Sequence, residues 1–220
     1  MSAARKHPNQ PIVLYTTRLS GHGHRVRLFL ELLGLPYETT IINMTAGENR
    51  RPEFLAKNPF GQVPVIEDGG LVLFDSNAIL VYLAKTYGDT SWLPDDPRGA
   101  AAVQRWLSLA AGQIAHGPGA ARLVSVFGAK LDWEAAKAIA IKLFDLIEPE
   151  MASKPFAVGN RPTIADIAAY SYIAHAPEGG VSLEPYPNLR SWLRRIETLP
   201  GFVALPFTKA GLLADVPQHS

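Results

Sequence analysis

The run Asn58-Pro-Phe-Gly-Gln-Val-Pro-Val-Ile-Glu-Asp-Gly-Gly-Leu-Val-Leu-Phe-Asp-Ser76 carries the strongest structural signal in the chain. Its aliphatic segments 63–66 and 71–74 predict two strands, and the Glu-Asp-Gly-Gly sequence between them predicts a hairpin. The Asp-Ser pair at its end is typical of a helix start. Because proline is disfavoured inside a sheet, Pro64 indicates either an edge strand or a special turn. The run therefore predicts a β-β-α unit.

The residues before this run predict a β-α-β unit. Residues 12–16 and 37–42 are short β-branched and aromatic runs, so both predict strands. From Gly23 to Leu33 apolar residues recur at helical spacing, and Gly34 with Pro36 ends the helix. A strand–helix–strand order favours parallel strands with the helix crossing over the sheet. The first part of the chain is thus βαβ-ββα.

The second half of the chain predicts only helices. Gly117-Pro118-Gly119 is expected to interrupt or kink the region after the first of them. The predicted helices cover residues 98–115, 132–152, 163–175 and 187–198. The predicted organisation is a flexible extension at 1–10, an α/β domain at 11–87, a linker of turn-forming residues at 88–98 and an all-helical domain at 99–220.

The composition argues against several kinds of protein. The 220 residues are 47% hydrophobic and 19% charged, a normal globular balance. A net charge of +1 with interspersed acids and bases argues against nucleic-acid binding. The absence of cysteine excludes disulfides, thiolate zinc sites and a cysteine nucleophile. No apolar run approaches the roughly 20 residues of a membrane helix, and no signal peptide is evident. We therefore expect a cytoplasmic protein that binds neither membranes nor nucleic acids.

Three motifs resemble the glutathione transferase family. Residues 58–83 resemble its glutathione-site signature, and Leu19-Ser-Gly-His-Gly-His-Arg-Val26 is similar to a loop of serine-type members, especially the plant phi class and related bacterial proteins. Residues 159–166 resemble the family's helix-capping motif. The resemblance implies a thioredoxin-like N-terminal domain and a C-terminal helical bundle. It also implies glutathione as co-substrate, and a homodimer in which Phe60 packs on the partner's helices.

Ser20 is the residue that this resemblance implies as the activator of the glutathione thiol. It lies between a predicted strand and a predicted helix, where a hydroxyl and the positive end of the helix both favour a thiolate. The alternative is that Ser20 is only the helix N-cap, in which case Thr16, Thr17 or His22 carries this role. His22 and His24 could each line the thiol site or stay solvated. They lack a third ligand with suitable spacing, so no metal site is expected.

The resemblance also implies which residues bind the tripeptide. A cis peptide bond at Val63-Pro64 would present the Val63 backbone to the cysteinyl part, although an ordinary trans proline is the alternative. Asp75 and Ser76 would hold the γ-glutamyl end as well as capping a helix. Arg50 would bind the glycine carboxylate, and the side-chain amide of Gln62 would contact the peptide. His22 would lie near the thiol. Arg50 is equally explained as a solvated surface charge.

Other candidate residues lie in the second half of the chain. Trp106, His116 and Tyr172 are candidates for a second-substrate pocket, with core packing as the alternative for each. Thr163 to Asp166 forms a capping-box pattern, which we assign to folding and not to catalysis.

The leading hypothesis is an enzyme that adds glutathione to small electrophilic, mostly apolar substrates. A glutathione-dependent disulfide reductase or peroxidase on the same scaffold is the second. A non-catalytic interaction module is the third, and isomerase or dehalogenase chemistry is also open, because a fold does not determine its second substrate.

Overall fold

A computed structural model describes residues 7–210 of the chain, so most of the predicted extension at 1–10 and the last ten residues lie outside the described residues. The elements of the first part follow the predicted β-α-β-β-β-α order. A 3₁₀ turn at Glu48–Arg50 and a short helix precede the third strand. The elements are β1 (Ile12–Thr16), α1 (Gly21–Leu33), β2 (Tyr37–Ile41), α2 (Pro52–Leu55), β3 (Val65–Asp68), β4 (Leu71–Phe74) and α3 (Ser76–Thr86).

These strands form one mixed sheet in the order β2-β1-β3-β4. β1 and β2 are parallel, as predicted, and β3 runs antiparallel to both of its neighbours. The predicted strand at 63–66 was placed two residues too early, because the Val63-Pro64 peptide is cis and forms the turn before β3. Pro64 therefore marks a special turn, and β3 is an interior strand.

The second part is helical, as predicted, but contains one helix more than expected. Its helices are α4 (Pro97–Ala111), α5 (Ala120–Phe127), α6 (Trp133–Ala152), α7 (Ile164–Ala174) and α8 (Pro187–Glu197), with a 3₁₀ turn at Ala176–Gly179. The Gly-Pro-Gly sequence does not stop the helical path: it forms a π-helical turn, Ala115–Gly119, that leads directly into α5. A wider turn of this type accommodates a proline that an ordinary helix interior would not. Within residues 7–210, no helix is long and apolar enough to cross a membrane.

The hydrophobic core is continuous between the two parts. Every residue of α7 is buried, so this helix lies at the centre and packs against α1, α3 and α4. Large side chains such as Phe29 of α1, Trp106 of α4 and Trp192 of α8 belong to the same buried cluster. The sheet-bearing part and the helical part therefore stabilise each other.

Asp166 organises the start of α7. One carboxylate oxygen accepts hydrogen bonds from the Ala157 backbone and the Trp192 indole, at 2.7 and 2.8 Å. The other accepts from the backbone of Thr163 at 2.9 Å, which completes the predicted capping box. Burial raises the pKa of Asp166, and these donors offset the cost of the buried charge together with the Thr163 hydroxyl, which donates to the second oxygen at 3.3 Å.

Replacing Asp166 with Ala should lower the free energy of unfolding by at least about 3 kcal/mol, because several buried donors lose their acceptor together. Urea unfolding followed by circular dichroism measures this. The matched control is Asp132→Ala at the exposed N-cap of α6, which accepts one backbone hydrogen bond and should cost only about 1 kcal/mol. Equal losses in the two variants would show that Asp166 is an ordinary cap.

Candidate functional site

A cleft of about 240 Å³ lies where the N-terminal ends of α1 and α3 meet the turn before β3. It contains six of the residues that the sequence singled out: His22, Gln62, Val63, Pro64, Asp75 and Ser76. Three further lining residues, Asn58, Phe60 and Phe74, were not predicted as site residues. The structure thus brings the motif at 58–76 and the first turn of α1 together around one cavity.

The start of α3 forms one wall of the cleft. Asp75 caps the helix, because its Oδ1 accepts hydrogen bonds from the backbone N–H groups of Asn77 and Ala78, both at 2.9 Å. Its φ of 70° is unusual for a residue with a side chain and costs on the order of 1–3 kcal/mol. Ser76 is buried, and its hydroxyl faces the cleft at the positive end of the helix. This wall is suited to a carboxylate.

Two buried asparagines hold the loop that forms the opposite wall. The Asn58 amide donates to the carbonyl of Gln62, and the Asn49 amide donates to the carbonyl of Gly61, both at 2.8 Å. Gly61 has φ +63°, and a Cβ there would lie 2.9 Å from the Asn49 carbonyl oxygen. The loop is therefore fixed where it presents Gln62 and the cis Val63-Pro64 peptide to the cleft.

Ser20 is the N-cap of α1 and does not line the cleft. Its Oγ accepts from the Gly23 N–H at 3.0 Å, as the capping alternative requires. A Cβ on Gly23 would lie 1.8 Å from Oγ1 of Thr16, so the helix start and the end of β1 are packed closely here. Thr16 is buried, and its hydroxyl donates to the carbonyl of Thr17 at 3.4 Å. Because Ser20 uses only a lone pair in capping, its own proton is available to an acceptor.

His22 reaches into the cleft in place of Ser20. Its Nδ1 lies 3.2 Å from Oγ of Ser76, and its ring meets the Tyr172 ring edge-on at 5.0 Å. Burial and the nearby Arg25 lower the pKa of His22 to about 3, so its imidazole is neutral at physiological pH. It can donate or accept a hydrogen bond but cannot supply a positive charge.

Two polar residues of α1, His24 and Arg25, are buried beside the cleft. The sequence left His24 open as a residue of the thiol site or a solvated one, and neither holds, whereas Arg25 had no predicted role. The Arg25 guanidinium donates to Oγ of Ser76 at 3.2 Å and to Oδ1 of Asn77 at 2.9 Å. His24 lies 2.8 Å from both the Ser171 hydroxyl and the Val203 carbonyl. Burial lowers the pKa of His24 to about 4, so the neutral ring donates from Nε2 to the carbonyl and accepts at Nδ1. The position of Arg25 in the sequence indicated only a polar residue on a helix.

The remaining predicted residues lie outside the cleft lining. Arg50 is exposed, with its guanidinium close to Gly61. Trp106 is almost completely buried in the core, and Tyr172 is buried beneath the first turn of α1. His116 is exposed, with Nδ1 2.9 Å from the Gly112 carbonyl oxygen. Residues 7–210 contain no cluster of three side chains suited to a metal ion.

Comparison with known proteins identifies two regions of the chain. The family model for the glutathione S-transferase N-terminal domain matches residues 10–85, and that for the C-terminal domain matches residues 123–200. Glutathione S-transferase GstB of Escherichia coli is 32% identical, over 86% of this chain and 94% of that protein. A glutathione S-transferase structure from Pseudomonas fluorescens is 31% identical, with a TM-score of 0.84 over 90% of this chain and all of that one. A Drosophila mojavensis glutathione transferase homologue with bound glutathione is 28% identical, with a TM-score of 0.78 over 93% of this chain and 94% of that one.

The buried histidines should make the protein less stable in mild acid. The pKa of His24 falls from 6.5 in the unfolded chain to about 4 in the folded one, so the unfolded state binds the proton first as the pH falls. The free energy of unfolding should therefore be highest above pH 6.5 and decline as the pH falls from 6.5 towards 4. Urea unfolding across this window should show a shallower decline for His24→Gln than for the wild type.

The exposed His116 provides the control for this titration. His116→Gln makes the same substitution at an exposed position away from the buried contacts of His24, and it should leave the decline as steep as in the wild type. A decline that is unchanged in His24→Gln would mean that other groups cause the acid sensitivity.

Proposed function

Because the chain belongs to the glutathione S-transferase family and is a transferase, we propose that its cleft binds glutathione and that the bound thiolate attacks electrophilic, mostly apolar substrates. The observation that carries this proposal is the convergence of the cis Val63-Pro64 peptide and the Asp75-Ser76 helix start on one cavity. These groups suit the backbone and the charged end of a small peptide. No part of the site requires a metal ion.

The γ-glutamyl end of glutathione fits the wall formed by α3. Its α-carboxylate would accept hydrogen bonds from the Ser76 hydroxyl at the positive helix terminus. Its ammonium group would lie near the carboxylate of Asp75, which is exposed. The two opposite charges of this end thus meet two groups that are adjacent in the chain.

The rest of the tripeptide fits the opposite wall. The backbone of Val63 would pair with the cysteinyl residue in the manner of a short added strand, and the Gln62 amide would contact the peptide. Arg50, near Gly61 at the edge of this wall, would reach the glycine carboxylate. This orientation directs the thiol towards the start of α1.

Ser20 is the group that we assign to thiol activation. A thiol with a pKa of about 8.5 is only a few per cent ionised at neutral pH, and lowering that pKa by about two units requires roughly 2.7 kcal/mol. The Ser20 hydroxyl accepts from the Gly23 N–H, and this polarises its own proton towards a sulfur anion. Capping and thiolate stabilisation are therefore compatible roles of one hydroxyl.

Ser20→Ala should raise the pKa of bound glutathione and slow conjugation at neutral pH, because the donor to the thiolate is lost. Affinity for glutathione should change little, and part of the lost rate should return at higher pH. The measurement is the ultraviolet absorbance of the bound thiolate against pH. Thr17→Ala removes a neighbouring hydroxyl and should leave the titration unchanged.

Superimposable titrations of the wild type and Ser20→Ala would assign Ser20 to capping alone and make His22 the next candidate. The binding step itself is tested by calorimetry with glutathione in chelator-treated buffer. No detectable binding at millimolar glutathione would overturn the proposed function.

We also propose a homodimer in which Phe60 inserts between two helices of the partner. Phe60 is 67% exposed although it lies beside Phe74. A groove of about 360 Å³ between α4 and α6 has apolar walls, and Leu146 on its rim is also 67% exposed. In a two-fold dimer each subunit contributes both surfaces, so both apolar patches would be buried twice.

Sedimentation at micromolar concentration should show a species of twice the 23.9 kDa chain mass. Phe60→Glu and Leu146→Glu should each shift it to the monomer, because a charge enters an apolar contact in both copies. Phe127→Glu is the control, since Phe127 is exposed but belongs to neither surface. A wild-type species of 23.9 kDa would overturn the dimer.

The organisation and location of the protein complete the proposal. We assign residues 11–87 to the glutathione-binding domain, 88–98 to the linker and 99–220 to the helical domain. A cytoplasmic location, where glutathione is reduced, suits the proposed chemistry.

A further inference from the structure

Arg25 is a fully buried cation directly behind the cleft. Its Nη1 makes the two hydrogen bonds to Ser76 and Asn77, both at the start of α3. Among residues 7–210, its Nε and Nη2 have no hydrogen-bond partner, and no carboxylate forms an ion pair with it. Although burial lowers the pKa of Arg25 to about 10, the group is still charged at neutral pH. The centre of the Tyr172 ring lies 5.8 Å from the guanidinium carbon, but a neutral ring does not cancel the charge, so the cation has no ionic partner among the described residues.

Arg122 shows that the same fold neutralises a buried arginine elsewhere. It is equally inaccessible, but its Nε donates to the carboxylate of Glu178, and its Nη1 donates to the carbonyl of Leu19 at 2.9 Å. The acid that acts electrostatically on Arg25 is Asp75, which caps α3 and is exposed to solvent. An unpaired buried charge is costly, so its presence beside a cavity suggests that an anion arrives there.

We propose that Arg25 is a positioning residue for glutathione: acting through Ser76 and Asn77, it supplies the positive charge that attracts the α-carboxylate of the γ-glutamyl group. This inference rests on the proposed function and adds a source of charge to it. Arg25 donates to the Ser76 oxygen, and in the tautomer that carries its proton on Nδ1, His22 donates there too, which leaves the Ser76 proton for the ligand. The guanidinium also holds Asn77, whose amide donates to the carbonyl of Leu107 at 3.0 Å, so that the start of α3 is anchored to α4.

His22 contacts the same Ser76 hydroxyl as Arg25 but contributes no positive charge there. Its Nδ1 is 3.2 Å from Oγ of Ser76, but the ring is neutral because its pKa is lowered to about 3. The positive charge beside the proposed carboxylate position therefore comes from Arg25. Removing Arg25 therefore removes the only side-chain cation among residues 7–210 that donates to Ser76. Loss of the arginine should accordingly affect a charged ligand group far more than a neutral one.

The test compares two ligands: glutathione, and glutathione in which the γ-glutamyl α-carboxylate is converted to an amide. Calorimetry gives the discrimination, which is the Kd of the amide divided by the Kd of glutathione. We expect Arg25→Met to weaken glutathione binding about 10- to 100-fold and amide binding only about 3-fold or less. Arg25→Lys, which keeps the charge, should retain most of the wild-type discrimination. Arg27→Met, on the same helix but outside the cleft, should behave as the wild type.

The outcomes separate a charge effect from a structural one. Equal losses for both ligands in Arg25→Met would show that Arg25 only holds α3 in place, and this would overturn the inference. If Arg25→Met does not fold, Arg25→Lys decides: retained discrimination supports the charge, and lost discrimination contradicts it. Wild-type protein that binds both ligands equally would overturn the role of Arg25 and leave the proposed function standing. Wild-type protein that binds neither would instead overturn the proposed function.

Discussion

Buried polar side chains must find hydrogen-bond partners, and the first turn of α1 concentrates this requirement. His22, His24 and Arg25 lie within one stretch of four residues, and together they contact three separate segments of the chain. His24 contacts α7 and the segment after α8, whereas the other two meet the start of α3. These contacts fix the angle between the helices whose N-termini form the cleft. The site therefore depends on the helical part of the chain, although most of its lining residues belong to the sheet-bearing part.

The second buried arginine extends this dependence to the loop before Ser20. Arg122 of α5 donates to the carbonyl of Leu19, while Glu178, its ionic partner, accepts from the backbone of Thr208. Burial alone would raise the pKa of Glu178, but hydrogen bonds from His175, Thr208 and Arg122 lower it to about 2. One carboxylate thus joins α5, the turn after α7 and the chain beyond α8. Rigid support of this kind is what a site needs when a small displacement of a reacting group is costly.

Sequence reasoning succeeded where the signal was local. The βαβ-ββα order, the cis proline and the capping residues Asp75 and Thr163 each depend on a few adjacent positions. It failed at α5, because glycine and proline indicate a break when the packing around them is unknown. It also gave no site role to Arg25, whose partner Ser76 lies 51 positions away. Such a residue looks like any polar position on a helix until the fold shows which hydroxyl it contacts.

In the proposed complex, the charged end of glutathione and the proposed thiol-activating Ser20 meet different groups of the protein. The α-carboxylate of the γ-glutamyl end would lie at the N-terminus of α3, behind which Arg25 donates to Ser76. The ammonium group of the same end would lie near Asp75, so both charges would have an opposite partner on one side of the cavity. His22, in the first turn of α1, is neutral and adds no charge to this side of the cavity. Binding of the peptide would then come from groups that do not react, so that Ser20 would be left to stabilise the thiolate. A hydroxyl that accepts one backbone N–H would donate to the sulfur anion without adding a charge to the reaction site.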